Sequence, residues 1–135
     1  YIRRQRQMCI RDRYIIVISV LIGSIVYSQE IIYTEKDSTD DYIRYIEYYN
    51  KDSRGLVKIK KETYHPNGVM SSELYFRLGK EHGLNRGWYE NGGKGFEFSY
   101  KDGKLDGLST EWDYDGIKVY EVVYKEGKLI SKKRF

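Results

Sequence analysis

Tyr64-His65-Pro66-Asn67-Gly68, Trp88-Tyr89-Glu90-Asn91-Gly92 and Trp112-Asp113-Tyr114-Asp115-Gly116 state one pattern three times, each copy beginning 24 residues after the last. A second glycine follows at Gly79, Gly103 and Gly127, so the glycines step along the chain by 11 and then 13 residues. A repeat of that length is one supersecondary unit, unable to bury its apolar side alone and obliged to stack on its neighbours.

Each unit reads as a hairpin. In Lys94 to Tyr100 the rings of Phe96, Phe98 and Tyr100 alternate with small or charged residues, the period of a half-buried strand. Their counterparts are Ser72, Leu74 and Phe76 in the preceding copy and Tyr120, Val122 and Tyr124 in the following one. Asp102-Gly103 then turns the chain, because both residues accept the positive φ of a tight hairpin turn. The return strand holds Leu105, Leu108, Thr110 and Trp112, and Asn91-Gly92, with its equivalents Asn67-Gly68 and Asp115-Gly116, reverses the chain again. Gly68, Gly79, Gly92, Gly103, Gly116 and Gly127 are therefore expected in bends. Connections this short permit only antiparallel neighbours. The expected fold is all-β: an antiparallel hairpin meander in a single-layer twisted sheet, with strands over 42–49, 56–64, 69–76, 82–89, 94–100, 105–113, 117–124 and 129–134.

Tyr64, Trp88 and Trp112 should line up across such a sheet. An aromatic stripe is first of all a source of cross-strand packing. Nothing in the sequence supplies a second layer to cover it, however, so Tyr64, Trp88, Tyr100 and Trp112 are also the expected contacts of an open binding groove.

The units, Trp-x-x-x-Asn-Gly followed by Tyr-Lys-Asp-Gly-Lys-Leu-Asp-Gly, resemble MORN-type repeats of the bacterial variant class. Trp88 to Gly92 with Tyr100 to Gly107 is the fullest copy, and the match runs from about Tyr64 to Ser131. The pattern departs at His82, where the next copy has Asp106, and at Ser131, where Gly83 and Gly107 stand in the other copies. The resemblance implies a hairpin meander with a binding role, and some bacterial proteins of this kind are labelled YwqK-type antitoxins. Three repeats are expected over 64–87, 88–111 and 112–135. A degenerate unit precedes them over 42–63, where Ile46-Glu47-Tyr48 echoes Phe96-Glu97-Phe98 and strand is favoured over helix for Tyr42 to Tyr49.

Upstream, 29–41 reads as an acidic linker. Tyr14 to Val26 is an apolar run of 13 residues behind Arg11 and Arg13. It falls short of the roughly 20 residues a membrane span needs and suits a secretory signal over 14–28, forming a leader helix and cut after Ser28. Residues 1–13 are expected to be non-native. Localisation is accordingly expected to be exported in a bacterium: periplasm, outer surface or medium, with membrane contact only through the uncleaved leader. Five of the 24 basic residues and one of the 20 acidic ones lie before residue 29, so the rest of the chain is formally neutral. A neutral sheet gives no reason to expect nucleic acid as a partner. Cys9 is the sole cysteine and also lies upstream.

No residue set calls for chemistry. His65 and His82 are the only histidines, and both sit in expected turns without further ligands, so neither metal nor cofactor is expected. Glu73, Glu97 and Glu121 form a column expected on the face opposite the aromatic residues. A spacing of about 9.5 Å, two strands apart, falls within the range of inverting glycosidases. No apolar pocket is in view to raise one carboxyl, so a solvated, lysine-paired face is the expectation and no catalytic residue is assigned. The basic ending Lys128 to Phe135 reads as a charged edge strand. The expected function is an exported scaffold binding a protein or peptide, not an enzyme. An antitoxin or immunity-type protein neutralising a toxin is the alternative, and a glycan-active surface enzyme is a third.

Overall fold

A computed structural model describes residues 16–22, 25–36 and 42–135. Among them the chain forms strands only: β1 (Ile16–Ile22), β2 (Ile25–Lys36), β3 (Ile43–Asp52), β4 (Gly55–Tyr64), β5 (Met70–Arg77), β6 (Lys80–Glu81), β7 (Gly83–Trp88), β8 (Lys94–Lys101), β9 (Lys104–Trp112), β10 (Lys118–Lys125) and β11 (Lys128–Arg134). They form one open sheet in chain order, every neighbour antiparallel, with β6 pairing only β5. This is the all-β antiparallel meander that the alternation and the short connections require.

The ambiguous stretch Tyr42 to Tyr49 is strand, as its isoleucines and tyrosines favour, and it joins β4 through a tight turn at Asp52–Gly55. Over 14–28 the described backbone is strand at Ile16–Ile22 and from Ile25 onward. The 29–41 stretch read as a linker is strand through Lys36, and 37–41 lie outside the described residues, as do 1–15 and 23–24.

The glycine-marked bends form the two ends of the sheet. At one end Leu78-Gly79, Asp102-Gly103 and Glu126-Gly127 each take two successive left-handed conformations, with φ of 52° and 85° at Asp102 and Gly103. That is the paired positive φ of a two-residue hairpin turn whose twist matches the strands. At the other end Gly68, Gly92 and Gly116 donate to the carbonyls of His65, Tyr89 and Asp113 at 2.9, 2.9 and 3.0 Å. Strand register also breaks three times at matching places, leaving Ser71, Gly95 and Val119 as extra residues opposite the last residues of β4, β7 and β9.

The return strand expected over 82–89 is divided. His82 interrupts it, donating its N–H to the Tyr75 carbonyl at 2.9 Å, while the Tyr75 N–H turns to the Asn85 side-chain oxygen at 2.9 Å. Asn85 donates in turn to Glu81 at 3.2 Å, and at 1% exposure it is the most completely buried large side chain among the described residues. An amide holds this position because a polar group here replaces a missing rung of the ladder.

Candidate functional site

Directly paired residues in antiparallel strands share a face, so the register sorts the side chains. One row runs Glu62, Glu73, Arg86, Glu97, Thr110, Glu121 and Lys133 across successive strands. The expected carboxylate column thus exists, with Arg86 and Thr110 between its members. Cations occupy it: Lys60 lies 2.7 Å from both Glu62 and Glu73, and Arg86 reaches Glu73 at 3.3 Å and Glu97 at 3.7 Å. Lys94 pairs with Glu97 and Lys118 with Glu121, each three residues away. The extra residues Gly95 and Val119 shift the alternation by one and put these lysines on the carboxylate side.

Tyrosines complete this face. The Tyr48 and Tyr64 hydroxyls donate to Glu62 at 2.7 and 2.8 Å, and Tyr75 donates to Glu73 at 2.9 Å. Burial works to raise the Glu62 and Glu73 carboxyls, but the hydrogen bonds from Lys60 and from the tyrosines outweigh it and hold both below the ordinary range. Burial and the Glu62 hydrogen bond push the Tyr48 phenol up to about 12 and raise Tyr64 as well. These two carboxyls are thus held ionised, the opposite of what a general acid needs.

The other face carries a row of Ser72, Gly87, Phe96, Glu111, Tyr120 and Arg134, beside a second row of Asn85, Phe98, Ser109, Val122 and Lys132. Phe96 and Phe98 stack with centroids 4.7 Å apart. Phe96 also lies flat over Gly87, where an added Cβ would come within 2.1 Å of the ring. Phe96, Phe98, Tyr89, Trp88 and Trp112 border a concavity of about 330 Å³. A second concavity, of about 240 Å³, adjoins it and shares Phe98 and Glu111. The buried Ser109 hydroxyl beside it has no hydrogen-bond partner among the described residues.

Of the four expected contact residues, the structure brings Trp88 and Trp112 together at the concavity and leaves two elsewhere. Tyr64 is committed to Glu62 on the carboxylate face. Tyr100 pairs with Gly83 and Leu105 at the far end of the strands, where burial, then Glu81 and Tyr124, raises its hydroxyl. The expectation that the carboxylate column faces away from the aromatic residues holds for Phe96, Phe98 and Tyr120 and fails for Tyr64, Trp88 and Trp112; Trp88, two residues from Arg86 and opposite Lys94, borders the concavity from the carboxylate side. Trp112 stands two residues from Thr110, and Lys94, while paired with Glu97, sits 5.1 Å from the Trp112 ring centre. Tyr89, Phe96 and Phe98 join the tryptophans at the concavity; the alternation of Phe96 and Phe98 puts those two on one face, while no spacing in the sequence points to Tyr89.

His65 and His82 serve the turns. His65 Nε2 lies 2.8 Å from the Trp88 carbonyl, and the Asp102 N–H donates to His82 Nδ1 at 3.3 Å. Asp106 does for the Glu126 N–H, at 3.1 Å, what His82 does for Asp102, which accounts for the exchange of residue type between the two copies. No group of metal-ligating side chains occurs among the described residues. No protein-family model matches the chain, and no curated protein matches it.

Proposed function

We propose that this chain is an exported repeat scaffold whose sheet binds a protein or peptide partner at the concavity bordered by Trp88, Trp112, Phe96 and Phe98. Its structural unit is the 24-residue hairpin, MORN-like in its residues, and its export rests on the apolar run Tyr14 to Val26 acting as the core of a leader over 14–28 behind Arg11 and Arg13. The observation that carries the reading is that this aromatic surface has no second layer over it among the described residues. Rigid aromatic area next to exposed polar rims is what protein contacts favour, and aromatic residues are among the side chains most often found at the energetic centre of interfaces.

The carboxylate face supports a structural role instead, since its charges are paired within the chain. An antitoxin or immunity-type role is a special case of partner binding and rests on the family resemblance alone.

Affinity capture from a bacterial envelope extract tests the proposal, using the full chain and the separate variants Trp88→Ser and Trp112→Ser. A partner retained by the parent and lost from both variants, with melting temperatures within a few degrees of the parent, is the expected result. Variants that melt much lower while no partner is retained by any form would make the aromatic residues packing only.

A further inference from the structure

Resting on that reading, we infer that the groove takes a basic side chain, an arginine flanked by apolar residues in a peptide, with Glu111 as its counter-charge. The chain itself shows how this sheet handles cations. Lys60 sits between Glu62 and Glu73 and 5.4 Å from both the Tyr48 and Tyr75 rings. Lys61 lies 4.4 Å from the Tyr45 ring and 3.7 Å from Glu47. Lys94 joins Trp112 to Glu97, and Lys118 joins Phe135 to Glu121. Each is a lysine held by an aromatic face and a carboxylate together, with Coulomb and ring-quadrupole attraction acting on one cation.

Glu111 has the aromatic part of that arrangement without the cation. Its cross-strand neighbours are Phe96 and Tyr120, and it borders both concavities of the groove. It is exposed, and among the described residues no basic side chain comes within ion-pairing distance. Two cations on this face, Lys132 and Arg134, are engaged instead with the Tyr120 ring, at 4.2 and 5.9 Å from its centre. Beside Glu111 the two concavities offer apolar area for flanking side chains. A planar guanidinium suits the place better than an ammonium, since it stacks on a ring while donating to a carboxylate.

The test is a titration of the isotope-labelled full chain with acetyl-Phe-Arg-Phe-amide and with the same tripeptide carrying citrulline, a neutral isostere of arginine. The expected result is shifts at Phe96, Phe98 and Glu111, with the arginine peptide binding about tenfold more tightly, the ratio a charge-assisted hydrogen bond provides. Glu111→Gln should remove that preference without weakening the citrulline peptide, and Glu97→Gln, on the other face, should leave it intact. If both peptides bind equally at the groove, the basic-side-chain inference fails while the aromatic groove stands. Shifts confined to the carboxylate face, or none at millimolar peptide, overturn both.

Discussion

The Tyr89 hydroxyl donates to the backbone carbonyl of Trp112 at 2.8 Å, linking the turn after β7 to the end of β9. His65 makes the same link to Trp88, and the Asn67 and Asn91 side chains reach the Glu90 and Tyr114 carbonyls at 2.8 and 3.1 Å. These bonds tie neighbouring hairpins together at one end of the sheet, so each adds to the stability of the strand order. Tyr89→Phe removes the donor and keeps the ring against Tyr114, whose centroid is 5.4 Å away. The expected cost is about 0.5–1.5 kcal/mol, read from the urea midpoint, the usual net value of one hydrogen bond.

Asn85 carries a larger share, because its side chain substitutes for backbone. Asn85→Ala leaves the Tyr75 N–H without an acceptor and Glu81 without a donor in the best-buried part of the sheet. The expected loss is about 1–3 kcal/mol, the cost of stranding a polar group. Amide exchange should accelerate first at Tyr75 and His82, the residues bonded around the interruption. An exchange pattern unchanged at those two amides would show that the gap in the ladder is held by something else.

What the sequence made legible was local. The spacing of Gly79, Gly103 and Gly127, with that of Gly68, Gly92 and Gly116, and the alternation at Phe96 and Phe98 place the bends and most strand limits after Tyr64, because a turn type and a pleat depend on adjacent residues. The facing of the side chains was less legible. Ser71, Gly95 and Val119 each add one residue to a strand, which moves Lys94 to the side of Glu97, and three such different residue types give no common mark of a bulge. Nor did a lone asparagine in a strand announce that it would stand in for a rung. The groove was half legible: Trp88 and Trp112 stand out by size, while the role of Phe96 depends on the bare surface of Gly87 on the adjacent strand.

The two-residue bends predict an unusual gain. Leu78 occupies the place taken by Asp102 and Glu126, at a φ of 50°, and its side chain is 66% exposed. A leucine gains nothing there from burial and carries the strain of a left-handed backbone, which asparagine tolerates far better. Leu78→Asn should therefore raise stability by roughly 0.5–1 kcal/mol, while Gly103→Ala, at a φ of 85°, should lower it by about 1–2 kcal/mol. Thermal melts of the two variants beside the parent check both signs.

The cross-strand pair Glu62 and Glu73 sets the response to acid. Both carboxyls lie below their ordinary value of 4.5 in the folded chain, where hydrogen bonds from Lys60, Tyr48 and Tyr75 overcome the opposing effect of burial. A depressed folded value means the unfolded chain binds more protons in acid, so this contribution is present above about pH 4.5 and is lost as pH falls through the folded values. Lys60→Met takes away the ammonium shared by both groups and leaves two carboxylates directly opposed on adjacent strands. Two changes should follow in urea melts taken from pH 7 to 3. The variant is less stable at pH 7, by about 1–3 kcal/mol, since the cation shared by the pair is gone and only Arg86 remains, on Glu73. Its loss of stability below pH 4.5 is also shallower than the parent's, because the folded carboxyls have moved back towards the ordinary value. Parallel pH profiles for the two proteins would mean that Lys60 adds attraction without setting the titration, and that the tyrosine hydroxyls and Arg86 hold the carboxyls down.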